Sequence, residues 1–314
     1  MQNQRRRGRS GKPVTSAAPE SKAERGKRVL LAGASSVRGA ALAGELKRRG
    51  YSVRGLTRRA SNVTADLDEI YVGDLLDAST LPPAFEHMDI VISLAGAPQR
   101  FVGVRGGRRT FAHVDDGGNR ALLAVAAKAN VNRFAYVANY GGRFMGMSEI
   151  LRAQESFIAA LRSTSMRILV VRAAPVFASY EPLLRRARKR RVRVIGDGWS
   201  EINPIHEEDL ATVIVDALEE NESQLDVGGP DVLTHREIAE LALAVWDREP
   251  KVGGLPRVLA NYWAQFARFR GGHNKAVSAL QTAVAFTDVV APSFGEQHLH
   301  AYFADRVAAW SNNG

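Results

Sequence analysis

The sequence predicts an α/β fold, a doubly wound parallel sheet followed by a smaller, mostly helical C-terminal part. Three observations carry this. From residue 28 onward, short β-branched runs alternate with longer amphipathic stretches, the pattern of buried parallel strands and the helices that cover them. The first apolar run, "RVLLAG", passes through a glycine-bearing turn directly into an alanine- and leucine-rich helix. And 314 residues, 45% hydrophobic and 24% charged, are enough for one full α/β domain with a smaller unit appended.

The elements follow in order. After "RVLLAG" a helix runs from about Val37 to Arg49 and stops at Gly50. Strands two, three and four are "YSVRGLTRR", "EIYVGDL" and "MDIVISLAG"; a helix from Asn119 to Ala129 leads into "RFAYVANYG", and a helix from Glu149 to Arg162 into "MRILVVRAAP". Six such units describe a doubly wound domain over 28–176. The rhythm then breaks. "EPLLRRARKRR" reads as a helix, "VRVIGDG" as a strand, and "IHEEDLATVIVDALEE" as a helix with Asp209 in its first turn; this helix and the strand after it, about 203–228, are expected to return to the main sheet. In "THREIAELALAVW" Thr234 is the expected cap, with Glu237 completing a capping box. The rest of 177–314 reads mainly as helices carrying Trp263, Phe266, Phe269 and Phe286.

Composition closes several routes. There is no cysteine, so disulfides, thiolate metal sites and cysteine nucleophiles are excluded; the seven histidines show no HxxxH pairing, and no metal site is expected. A reducing, cytoplasm-like compartment fits. No run approaches the roughly 18 apolar residues of a membrane span, and no apolar segment follows the N-terminal arginines as in a secretory signal. The formal charge of +10 is concentrated in residues 1–28, which hold nine Lys or Arg against Glu20 and Glu24. Residues 1–27 read as a disordered basic tail, too poor in apolar groups to form the amphipathic face of a transit peptide. A solubilising role and an anionic partner, nucleic acid or acidic lipid, are its two readings.

In a strand–turn–helix nucleotide site of the Rossmann type, the first glycine allows the turn, the second admits the pyrophosphate, and the third lets helix and strand approach. Gly33 and Gly39 hold the outer positions, and Ser36, with Ser35 beside it, takes the middle one. A serine Cβ uses some room but brings a hydroxyl able to donate to phosphate. With Val37 and Arg38 this loop opens the helix, whose N–H groups favour an anion. Where an NAD site carries an acid after strand two, this chain has "GLTRR": Thr57, Arg58 and Arg59 suit a 2′-phosphate, which makes NADP(H) the expected cofactor, with Arg58 the leading contact and NAD the alternative.

Together "GASSVRG", "RGLTR", "GDLLD", "ISLAGA", "GNRALLAVAAKANVNRFAYVANYG", "VVRAAPVF", "IGDGWSEINPIHEEDLA" and "GGPDVLTHREIAELA" resemble the atypical, NmrA-like branch of the short-chain dehydrogenase/reductase superfamily, over about residues 28–300. The resemblance implies that Asp74 and Leu75 flank the adenine, that Leu94, Ala95 and Gly96 run along the central riboses, and that Asn139, Pro175 and Val176 lie toward the nicotinamide. Asp74 and Asp209 read equally well as capping residues, and His206 as a structural histidine.

Enzymes of this superfamily place a serine after strand five and, on the next helix, a tyrosine four residues before a lysine. The lysine lowers the phenol's pKa, which ordinarily lies near 10. Here Ala138 and Asn139 stand at the serine position. Counting back from Arg172 puts the tyrosine at Ile150 and the lysine at Gln154; with the helix registered on Glu155 instead, the positions become Leu151 and Met147, and neither register restores the pair. Tyr140 is the one phenol expected near a nicotinamide. Three readings follow: a cofactor-binding regulator, assembly factor or accessory subunit, as in NmrA-like regulators and the NAD(P)H-binding subunit of respiratory complex I; an unconventional NADPH-dependent reductase or nucleotide-sugar epimerase; and an interaction module with a vestigial site. Two surface features stand apart. "LLRRARKRRVRV", 183–194, is a basic ridge read as a solvated helix face or as a site for an anionic partner, and "NYWAQFARFR" is read as core or pocket lid.

Overall fold

The computed structural model describes residues 26–97, 110–141, 148–189, 192–249, 251–256, 258–259, 262 and 272–312. The basic tail up to residue 25, Arg190 and Arg191 of the basic ridge, and most of "NYWAQFARFR", including Trp263, Phe266 and Phe269, lie outside the described residues.

The main sheet is parallel, in the order β3-β2-β1-β4-β5-β6-β9. Its strands are β1 (Arg28–Ala32), β2 (Ser52–Thr57), β3 (Glu69–Val72), β4 (Ile90–Ser93), β5 (Arg133–Asn139), β6 (Arg167–Ala173) and β9 (Gln224–Val227). Because β1 and β4 are buried on both faces, their residues alternate between two layers. Val29 and Leu31 pack with Leu42 and Leu46 of α1 (Val37–Arg48) and Ile214 and Leu218 of α5 (Glu207–Glu219). Leu30 and Val91 face the other way, against Leu122 of α2 (Asn119–Lys128) and Phe157 and Leu161 of α3 (Glu149–Arg162). Each such side chain contributes roughly 1.5–3 kcal/mol by leaving water. Chain from beyond residue 200 closes the sheet, and Arg133 fixes it there: its buried guanidinium donates to the carbonyls of Leu218 and Glu222 at the end of α5.

The remaining elements form a cap over one end of the sheet: α4 (Glu181–Ala187), α6 (His235–Ala244), α7 (Gly272–Ala285) and α8 (Leu299–Asn312), with two small sheets. In these, β7 (Arg193–Ile195) pairs with β11 (Gly253–Leu255), and β8 (Glu201–Ile202) with β10 (Leu233–Thr234). Leu184, Ile238, Val277 and Phe303 build a separate core that rests on Ile150 and Leu151 of α3. Thr234 and Glu237 form the expected capping box. Two local readings change. The helix from Glu181 ends at Ala187 instead of continuing through the basic run, since Arg188 and Lys189 offer no further apolar residue to bury. The strand at 253–255 was not legible, because "GGL" carries neither alternation nor β-branching.

Candidate functional site

Strand order reverses between β1 and β4, β2 lying on one side and β5 on the other. In such sheets ligands bind in the crevice at the carboxyl ends of the strands. Two adjoining cavities occur there. The first, about 300 Å³, is walled by the turn after β1, by Thr57–Arg59 after β2 and by Asp74–Leu76 after β3. The second, about 600 Å³, continues past Asn139, Pro175 and Val176 to α6 and α7. Ser36 and Leu94–Ala97 belong to both, so the two form one cleft bent around the end of β4.

The turn after β1 is built as its glycines require. Gly33 has φ +93°, a left-handed conformation that L side chains rarely adopt. A Cβ on Gly39 would lie 2.4 Å from the Gly33 carbonyl oxygen, so α1 can seat on the turn only with hydrogen at this position. The Ser36 hydroxyl, expected to donate to phosphate, is engaged otherwise: it donates to Gly33 O at 2.8 Å and accepts from Gly39 N at 3.0 Å. Serine thus caps α1 and braces the turn, and anion binding falls to the backbone N–H groups and the helix dipole. Val37 is 59% exposed and off both cavity walls, while Arg38 is half-buried and lines the larger cavity.

Thr57 is likewise turned inward, its hydroxyl donating to Arg59 O and accepting from Arg59 N. It shapes the loop, and Arg58 and Arg59 form the exposed cationic wall. Asp74 lines the same cavity while its carboxylate accepts from Leu76 N at 3.1 Å, so it serves as a turn cap. Asp209 holds the backbone of Glu296 and Gln297, and His206 caps α5 by accepting from Glu208 N at Nδ1; neither lines either cavity.

Beyond Gly96 the cleft contains a chain of hydrogen bonds. Asn139 donates through its backbone N (3.0 Å) and Nδ2 (3.3 Å) to Gln154 Oε1, Gln154 Nε2 donates to Asp115 Oδ1 (3.1 Å), and Ala97 N donates to Asp115 Oδ2 (2.8 Å). This decides the register of α3. Gln154 faces the cleft at the lysine position, whereas Glu155 is turned away in a two-pronged pair with Arg172. Ile150, at the tyrosine position, is 1% exposed in the cap core. Tyr140 packs against that same core, and neither cavity wall includes it.

Asp115 was not singled out in the sequence. It lies in a π-helical stretch, Ala112–Gly118, that leads into α2, and it is 1% exposed. Burial pushes its carboxyl up to about 7, against the opposing pull of the donors from Ala97 and Gln154 and of the Arg38 charge. Arg38 in turn is lowered by burial, with Tyr136, Asp115 and Glu207 acting to raise it. One signal was available. In "HVDDGGNR", Asp116 has a cationic partner four residues on, Arg120, and pairs with it; Asp115 has Asn119 there, and points inward.

Among the described residues no cluster of side chains suits a metal ion, and no helix is long and apolar enough to cross a membrane. A sequence model of the family described as NAD(P)H-binding matches residues 33–221. The chain is 24% identical over 252 residues to the mitochondrial NADH-ubiquinone oxidoreductase 40 kDa subunit of Neurospora crassa, covering 77% of this chain and 65% of that one. It is 25% identical over 203 residues to the mitochondrial NADH dehydrogenase [ubiquinone] 1 alpha subcomplex subunit 9 of Arabidopsis thaliana, covering 61% and 49%. The chain thus spans less than two thirds of each relative's length. Its fold is like that of an NADPH-dependent quinone oxidoreductase from Escherichia coli complexed with NADPH, with a TM-score of 0.67 at 12% identity over 90% of this chain and 99% of that one.

Proposed function

Given that the chain belongs to the NAD(P)H-binding family, within the atypical short-chain dehydrogenase/reductase superfamily, we propose that it binds NADP(H) as a redox-responsive regulator, assembly factor or accessory subunit. One observation carries this reading: the turn, the cationic wall and the shared loop are complete, while the tyrosine and lysine positions are filled by Ile150, sealed in the core, and by Gln154, committed to Asn139 and Asp115. The residues fit the cofactor. N–H groups of Gly33–Gly39 would hold the diphosphate, Arg58 and Arg59 the 2′-phosphate, Asp74 and Leu75 the adenine side, Leu94–Gly96 the riboses, and Pro175 and Val176 the nicotinamide end. Bound nicotinamide supplies or accepts a hydride. Division into a cofactor domain over 28–176 and a partner or substrate part over 177–314 belongs to the same proposal. So does a reducing compartment, supported by the absence of cysteine; the relatives' names favour an organelle at least as much as the cytoplasm. An anionic partner for the basic ridge is supported by the exposure of Arg185, Arg186, Arg188 and Lys189.

A second reading, an unconventional reductase or epimerase-like enzyme, is favoured by the 600 Å³ cavity, which extends past the nicotinamide end. Fluorescence titration of NADPH and NADH into wild type and Arg58→Ala tests the cofactor assignment. A charge-assisted phosphate contact corresponds to roughly tenfold or more, so the variant is expected to lose that much NADPH affinity and keep its NADH affinity; equal affinities in both proteins refute it. Turnover of NADPH with a panel of carbonyl compounds separates the two readings.

A further inference from the structure

The far half of the larger cavity is chemically unlike the cofactor cleft. Its apolar walls are Leu183 in α4's first turn, Val194 and Ile195 of β7, Ile238 of α6, and Leu280 and Val284 of α7, a lining drawn from four separate elements. Tyr180 stands in this wall. Among the described residues its hydroxyl has no hydrogen-bond partner, and it is not sealed off from the cavity as the hydroxyl of Tyr136 is. An unpaired phenol opening into an apolar chamber is a neutral donor available to a ligand acceptor. Burial alone, with no neighbouring charge, raises its pKa, so the phenol stays protonated. His235, in the same wall, donates from Nε2 to Val284 O at 3.2 Å, and burial lowers its pKa, which keeps it neutral at pH 7. Among the described residues the cationic groups of this wall are Arg38, at the cofactor side, and Arg193, an exposed residue whose stem lies against Gly253 of β11.

We propose that this chamber binds an uncharged, largely apolar carbonyl compound, whose oxygen accepts a hydrogen bond from the Tyr180 hydroxyl, and that it does not take a nucleotide sugar. The inference deepens the reading above and rests on the cofactor filling the cleft on the near side of Leu94–Ala97. A nucleoside diphosphate would need cations or helix N-termini along the inner wall to replace the hydration of its phosphates. Among the described residues the wall offers aliphatic groups, one phenol and the uncharged Ser179, His235 and Gln281, and the N-terminus of α6 at His235 has its first N–H groups taken by Ser200 O, Gly198 O and Thr234 Oγ1, the composition that selects a largely apolar, uncharged body.

The test uses the full chain saturated with NADP and follows naphthyl fluorescence on adding acetonaphthone, ethylnaphthalene of nearly the same shape without the carbonyl, or UDP-glucose as competitor. Wild type is expected to bind the ketone more tightly than the hydrocarbon. Tyr180→Phe should weaken the ketone about tenfold, the worth of one buried hydrogen bond, and leave the hydrocarbon unchanged. Val284→Trp, which fills the chamber, should abolish binding of both, and it keeps the test open if the phenylalanine variant does not fold. Equal loss of ketone and hydrocarbon in Tyr180→Phe, no loss of either, or displacement of the ketone by UDP-glucose overturns the proposal. NADP affinity, titrated separately, tells its failure from that of the cofactor reading: a chain that binds the ketone but not NADP overturns the cofactor reading alone.

Discussion

Replacing Asp115 by Asn should remove a loss of stability that wild type suffers as pH rises from about 4 to 8. The carboxyl is 1% exposed, so its titration is felt without solvent screening, and its pKa is raised from 3.8 to about 7 by burial. Between about pH 4 and 7 the native state therefore holds a proton that the unfolded chain has released. Stability must fall as pH rises through this window. At 1.36 kcal/mol per pKa unit the loss approaches about 4 kcal/mol by pH 8. Asparagine keeps the shape, but its Nδ2 cannot accept as both Asp115 oxygens do from Gln154 Nε2 and Ala97 N, which costs about 1–3 kcal/mol at every pH; Glu207 remains as an anionic neighbour of Arg38. The variant should thus be less stable than wild type by about 1–3 kcal/mol below about pH 4 and gain on it by about 4 kcal/mol between pH 4 and 8, a relative shift of roughly 6 °C in melting temperature for a chain of this size, ending as the more stable protein. Urea unfolding followed by circular dichroism from pH 4 to 8 measures the difference. A constant offset between the two proteins, or a variant less stable at pH 8, would refute the reasoning.

Other outcomes follow from the same geometry. Gly39→Ala places a methyl against the Gly33 carbonyl; overpacking of about 1–3 kcal/mol outweighs a helix-propensity gain of about 1 kcal/mol, so urea unfolding should show a net loss and NADPH titration a weaker site as α1 is pushed off the turn. Gln154→Lys brings an ammonium to Asp115, which favours the carboxylate; the fall in stability between pH 4 and 7 should shrink, and a pH series with the wild-type slope would contradict the Asp115–Gln154 contact.

The alternation of strands and helices was legible because strands buried on both faces must be apolar runs, and helices covering them must be amphipathic. The positions of Gly33, Gly39, Arg58 and Asp74 were legible for the same kind of reason, each tied to a local turn. What escaped the sequence was the direction of side chains that settle tertiary competition. The hydroxyls of Ser36 and Thr57 could reach a ligand or their own backbone, and the backbone lies closer. The register of α3 was ambiguous by one residue, a rotation of about 100° on a helix. The contacts of Gln154 with Asp115 and of Glu155 with Arg172, one from another element on each side, resolve it. Asp115 and Tyr180 gain their character from burial by segments far away in the chain, and nothing within a few residues of either announces it.

A crystal structure of the full chain with NADPH tests the central claim most directly. The account predicts the diphosphate on the N–H groups of the 33–39 turn, the 2′-phosphate against Arg58, and the nicotinamide between Val176 and the Asp115–Gln154–Asn139 chain, with no tyrosine–lysine pair beside it. Cofactor bound elsewhere, or a tyrosine and a lysine drawn together at the nicotinamide, would contradict it.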